Sequence, residues 1–234
     1  MPKNQPPSPA NQIDQFLQQV KNTPPVPKGC GRGRLIFAMD ATASRQPTWD
    51  RACQLQGDMF TRTRGLGTLD VQLCFYRGYD EFRVSRWHRE ASGLLRAMSA
   101  VQCLGGHTQI GRVLRHVRRE HQKEAVNALV FIGDCLEEPI DALCQLAGEL
   151  GLLGVPLFLF QEGDDSTAEQ GFKQMARLSR GAHCRFDSSS PAQLAALLNA
   201  VATYATGGLA ALSAIRGEAP LIAQVRQQLE APKS

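Results

Sequence analysis

The sequence predicts an α/β fold: a doubly wound, mostly parallel six-stranded sheet with one antiparallel edge strand and helices on both faces. Two observations carry this. Short apolar runs, LIFAM (35–39), NALVFIG (127–133) and VPLFLF (155–160), alternate with amphipathic helical segments. Continuous apolar runs are the mark of strands buried on both faces of a parallel sheet. Between the first two runs lies a stretch in which apolar and polar residues alternate, as expected for strands with one wet face.

Taken in order, residues 1–30 form a proline-rich tail holding one short helical segment, IDQFLQQV, with Ile13, Phe16, Leu17 and Val20 at helical spacing. This segment is read as a helix docked on the domain's own surface, with a partner-binding peptide as the alternative. The stretch GCGRGR (29–34) is rich in glycine and arginine but precedes a strand. A phosphate loop follows a strand and opens a helix, so that reading is rejected. After LIFAM comes a helix carrying Trp49, Ala52, Cys53, Met59 and Phe60 on one face. LDVQLCFY (69–76) places Leu69, Val71, Leu73 and Phe75 on one side, and EFRVSRW (81–87) alternates Phe82 and Val84 with charges. Together they read as a half-exposed hairpin at the sheet edge. A short helix spans roughly 91–101.

The loop LGGHT (104–108) opens a helix with Ile110, Val113, Leu114 and Val117 at i, i+3, i+4, i+7. Its other face carries Arg112, Arg115, Arg118, Arg119, His121 and Lys123. It is read as a solvated face. No aromatic residues interleave the basic ones, so nucleic-acid binding is not expected. A helix bearing Leu143, Leu146, Ala147 and Leu150 precedes VPLFLF, and another at about 168–180 precedes a short strand, HCRFD (183–187). Helical segments from Pro191 to Ala205 and from Pro220 to Leu229 close the chain. The expected division is the tail 1–30, one domain over 31–206, and a helical extension over 207–234.

Composition narrows the function classes. The 234 residues are 43% hydrophobic and 21% charged, with a net charge of +4, which does not by itself call for nucleic acid or a membrane. No apolar run reaches the ~18 residues that span a bilayer. The N-terminus lacks the shape of a signal peptide. The seven cysteines, Cys30, Cys53, Cys74, Cys103, Cys135, Cys144 and Cys184, are scattered and form no CxxC pair. This points to a reducing, cytoplasmic setting without disulfides or a cysteine zinc site. Cys103 and His107 alone are too few to make a metal site.

The chemistry concentrates at strand ends. Asp40 ends LIFAM and Asp134 follows NALVFIG. In an open α/β sheet, ligands bind beyond the carboxyl ends of the strands, where the strand order switches direction. Two carboxylates distant in sequence then meet. Alternate side chains of an extended segment point the same way, so Asp40, Thr42 and Ser44 present one carboxylate and two hydroxyls together. Thr108 opens the helix after LGGH, and two glycines let that backbone approach. His107 stands at the rim. Five oxygen donors, two of them charged, suit a small hard cation that keeps some water, Mg²⁺ or Mn²⁺.

DATAS (40–44), GGHT (105–108) and IGD (132–134), in this order and on these elements, resemble the three parts of the metal-ion-dependent adhesion site of a von Willebrand factor type A domain. The resemblance covers roughly residues 34–205, including the edge hairpin. It implies that Asp40, Thr42, Ser44, Thr108 and Asp134 hold Mg²⁺ or Mn²⁺ with one coordination position open. A partner protein's acidic side chain would complete the shell. Thr42 stands where the family usually has Ser. Gly133 and Cys135 flank Asp134 where a hydroxyl residue and Gly are usual. Glu137 and Glu138 lie just beyond, where they would repel an acidic ligand or serve as ligands themselves. The function expected is a metal-dependent protein-binding module in a cytoplasmic complex, with no catalysis. Two alternatives stand beside it. A Mg²⁺-dependent phosphohydrolase would use Asp40 as nucleophile, but the acid/base Asp needed two residues on is Thr42. A metal-independent scaffold would use the tail and the C-terminal helices.

Overall fold

The computed structural model describes residues 16, 19, 32–62, 67–186 and 191–215. The expected tail, apart from Phe16 and Gln19, and the segment 220–229 lie outside the described residues.

Six strands form one sheet: β1 (Arg32–Asp40), β2 (Thr68–Arg77), β3 (Glu81–His88), β4 (Ala128–Gly133), β5 (Leu157–Glu162) and β6 (Ala182–Phe186). The order is β3-β2-β1-β4-β5-β6. All pairings are parallel except β2 with β3. The expected fold class is what is found, and the switch in strand order falls between β1 and β4. A 3₁₀ turn (Ala43–Arg45) leads into α1 (Gln46–Arg62). The other helices are α2 (Ala91–Ser99), α3 (Ile110–Lys123), α4 (Ile140–Leu152), α5 (Ser166–Leu178) and α6 (Pro191–Ile215). Helix α6 is broken at Gly208, whose φ of 67° lies in the left-handed region. No helix among the described residues is long and apolar enough to cross a membrane.

The period-2 geometry of β1 splits its side chains between two cores. Leu35, Phe37 and Met39 pack with Trp49 and Ala52 of α1, Leu94 and Met98 of α2, and Leu197, Leu198 and Tyr204 of α6. Phe16 joins this face, edge-on to Phe158 and Phe160 at 6.0 and 5.4 Å. Ile36 and Ala38 pack with Val113, Leu114 and Val117 of α3, Leu143 of α4 and Phe172 of α5. Each such Leu, Val or Phe contributes about 1.5–3 kcal/mol by leaving water.

The hairpin differs from expectation in one strand. β3 keeps a wet face, with Arg83 and Arg86 exposed, although Val84 of the apolar side is 40% exposed too. β2 is buried on both faces, including Asp70 and Gln72. The polar positions of its pattern face partners instead of water. Asp70 pairs with Arg32 and, at 3.3 Å, with Arg89. Gln72 bonds the His116 ring at 2.9 Å and donates to the Ser85 carbonyl at 3.1 Å. Arg34, also inside β1, lies 3.9 Å over the Trp87 ring. The basic face of α3 likewise finds acids: Arg112 with Asp80, Arg118 with Glu149, Lys123 with Glu120.

Candidate metal centre

Asp40 is the last residue of β1, and β4 ends one residue short of Asp134. Met39 pairs with Ile132, so neighbouring parallel strands deliver both carboxylates to the same end of the sheet. Asp40 is fully buried and Thr42 nearly so, whereas Ser44 is exposed. One Asp40 oxygen, Oδ1, accepts the Thr42 N–H at 2.7 Å. The Thr42 and Ser44 hydroxyls lie 3.4 Å apart, and Ser44 donates to Asp134 Oδ2 at 3.1 Å. Asp40, Thr42, Ser44 and Asp134 therefore form one cluster.

Each carboxylate keeps one buried oxygen without a hydrogen bond, Asp40 Oδ2 and Asp134 Oδ1. Buried polar atoms in native folds are nearly always paired, and the Tyr76 hydroxyl beside Asp40 is unpaired as well, so these atoms need an explanation. Burial pushes the Asp40 carboxyl up to about 6; the Thr42 backbone N–H and hydroxyl offset part of this, and the charge of Asp134 adds to it. A cation between the two carboxylates would satisfy both oxygens and remove both penalties.

Thr108 is buried, but its contacts are with the loop after β4. Its hydroxyl accepts the Glu137 N–H at 3.1 Å, and its own N–H donates to Glu137 Oε2 at 2.7 Å. Glu138 accepts from the N–H groups of Ile110 and, at 2.9 Å, Gly111. Glu138 thus caps the N-terminus of α3, where unpaired amide groups favour negative charge, and Glu137 ties down the loop just before it. His107 reaches Glu137 at 3.4 Å and sits edge-on to the exposed Tyr79.

Of the two loop glycines, only Gly106 is required by close approach. A Cβ there would lie 1.9 Å from the Gly78 carbonyl oxygen, whereas at Gly105 it would meet nothing within 4 Å. The His107 N–H bonds that same carbonyl at 3.2 Å. Gly106→Ala should therefore cost about 1–3 kcal/mol by forcing backbone apart, and Gly105→Ala close to nothing. Urea unfolding of both variants checks this; equal stabilities would refute it.

Two residues at the site were not read as functional from sequence. Arg45, 8% exposed, places one guanidinium nitrogen 3.2 Å from Asp134 Oδ2 and pairs with Glu162 through another. Thr48 also donates to Glu162. Three carboxylates and one guanidinium leave an excess of two negative charges, the amount a divalent cation neutralises. The second residue is Cys135. Its Sγ, an Asp40 oxygen and an Asp134 oxygen all lie within 4.8 Å of one another. Burial and the neighbouring carboxylates push its thiol up to about 12.

This fold, with paired acids at the β1 and β4 ends, is that of a von Willebrand factor type A domain. No protein-family model and no curated protein matches the sequence. Solved structures do match it. The SpRpn10 VWA domain aligns with a TM-score of 0.55 at 14% identity, over 71% of this chain and 94% of that one. The vWF domain of the type V pili tip protein Mfa5 from Porphyromonas gingivalis aligns at 0.57 and 12%, over 72% and 93%. Proximal thread matrix protein 1 from the mussel byssus, with a zinc-occupied MIDAS motif, aligns at 0.60 and 14%, over 74% of this chain but 46% of that one.

Proposed function

We propose that this chain is a metal-ion-dependent protein-binding module acting in a cytoplasmic complex. A divalent cation, held by Asp40, Thr42, Ser44, Asp134 and the Thr108 hydroxyl lone pair that the Glu137 N–H leaves free, accepts an acidic side chain of the partner protein at an open coordination position. The observation that carries this is the pair of buried orphan oxygens, Asp40 Oδ2 and Asp134 Oδ1, beside two hydroxyls. The cation would be a recognition point: the site's hydroxyls complete its shell, and the exposed Ser44 marks the open side. Among the neighbours, a pili tip protein, a pilus adhesin and a byssus protein with an occupied MIDAS motif are in keeping with an interaction module. The cysteines among the described residues are all unpaired, which fits a reducing compartment. For a phosphohydrolase, Asp40 would have to reach a substrate, and it is fully buried with Thr42 in the acid/base position.

Calorimetric titration of Mg²⁺ and Mn²⁺ into the metal-free protein tests the site. Saturable binding that disappears in Asp40→Ala, with the fold intact by circular dichroism, is the expected result. Binding of equal strength in the variant would overturn the assignment.

A further inference from the structure

We infer that Cys135 is a metal ligand and that the site takes a soft divalent cation, zinc, in preference to magnesium. This rests on the metal-site reading above and replaces its hard cation and oxygen-only shell with a soft cation held by Asp40, Asp134 and Cys135.

The geometry starts from strand pairing. Cys135 follows Asp134 directly after β4, and β4 is hydrogen-bonded to β1, so Cys135 comes close to Asp40 as well. The result is three donor atoms, one sulfur and two carboxylate oxygens, all within 4.8 Å of one another. The thiol is free and half-buried, and it stands within hydrogen-bonding reach of Asp134. Asp40 is fully buried and keeps Oδ2 without a hydrogen bond, and Asp134 keeps Oδ1 so. Two of the three residues in the cluster thus carry a buried oxygen without a hydrogen bond.

The donor set then selects the ion. Three protein ligands with a fourth position open is the arrangement of zinc sites that receive an exogenous ligand. Magnesium demands six hard oxygens in near-octahedral geometry and gains nothing from sulfur. Thiolate is a soft donor that favours zinc over magnesium and manganese. On binding, the S–H bond breaks, a sulfur–zinc bond forms and the proton leaves to solvent; no electrons are transferred. Two carboxylates, a thiolate and Zn²⁺ leave one negative charge beside Arg45, which lies 3.2 Å from Asp134 and is shared with Glu162. His107 is no rival ligand, since it is turned to Glu137 on the rim.

The test uses the reduced full chain freed of metal, titrated with Zn²⁺, Mg²⁺ and Mn²⁺, and loaded with Co²⁺ as a spectroscopic probe. Zinc should bind at least tenfold tighter than magnesium. The cobalt protein should show a thiolate-to-metal charge-transfer band in the near ultraviolet. In Cys135→Ser the band should vanish and zinc affinity should fall by about a hundredfold, while magnesium binding holds. Cys103→Ser should keep the band. A cobalt complex without the band, or zinc affinity unchanged in Cys135→Ser, overturns the inference. If metal binding is lost in Asp40→Ala but indifferent to Cys135, this inference alone fails. If no metal binds the wild-type protein, the metal-site reading fails with it.

Discussion

Arg45→Met should lower the stability of the metal-free protein by about 3 kcal/mol, at the low end of the cost of removing one member of a buried ion pair. For a chain of this size that corresponds to a fall of roughly 6–12 °C in melting temperature. The Arg45 guanidinium sits between Asp134 and Glu162 and is almost wholly shielded from water. Methionine keeps the length and the apolar stem but removes the charge. Asp134 is then left with the Ser44 hydroxyl and Glu162 with the Thr48 hydroxyl, neither of which cancels a carboxylate. The Asp134 side chain retains 23% exposure, which is why the low end of the range applies. A divalent cation should narrow the gap, because it supplies the charge that the variant lacks. Its affinity should rise about tenfold for each 1.4 kcal/mol of relief at Asp134. Urea unfolding with chelator and with saturating cation measures both effects. A variant as stable as wild type in chelator would show that Arg45 is not an internal counter-ion.

What the sequence revealed about this site follows from how its parts are encoded. Asp40, Thr42 and Ser44 lie within five residues, and Asp134 follows an unmistakable apolar strand, so local pattern plus the rule for open sheets brought them together. Thr108 was placed on the correct loop, and its hydroxyl also accepts the Glu137 N–H, a contact between residues 29 apart that no local pattern records. The same holds for Arg45 and Glu162, 117 apart, and for Glu138 beneath the N-terminus of α3. Long-range ion pairs leave no periodic trace. Arg45 had a faint signal, a lone cation directly after DATAS. Cys135 was visible as a departure from the family pattern. Its closeness to Asp40, however, depends on β1 and β4 being neighbours, which only the topology supplies.

The fold was legible for the opposite reason. Burial on both faces of β1, β4 and β5 is written residue by residue as continuous apolar runs, and similar runs arise from many different sequences. That is how structural neighbours of 12–14% identity can share the architecture. β2 shows the limit. Its alternation was real, yet Asp70 and Gln72 are buried against Arg32, Arg89 and His116. Alternation reports polarity, and polarity equals exposure only when no partner stands opposite.

The pH dependence of stability should be governed in part by His183 on β6. Its ring is buried, tilted against Phe172, and bonds Gln161 Oε1 through Nε2 at 3.1 Å. The Gln161 amide is oriented by its own bond to the Asp165 carbonyl at 2.8 Å, so its oxygen faces the ring and Nε2 is the donor. Burial, with Lys173 and Arg185 nearby and Glu169 only partly opposing them, lowers the ring from 6.5 to about 4. The unfolded chain therefore takes up a proton first as pH falls. Stability is fully present above about 6.5 and is lost as pH falls towards 4 and below. At 1.36 kcal/mol per unit this amounts to about 3 kcal/mol. His183→Gln keeps a hydrogen-bonding side chain but cannot titrate. Its stability should fall less between pH 7 and pH 4 than that of wild type, by about that amount, even if it starts lower at pH 7. The comparison is made on the difference between the two proteins, because other groups that titrate in this range contribute equally to both. Parallel stability curves would mean that the ring is accessible to protons in the folded state. The His183 ring would then contribute packing alone.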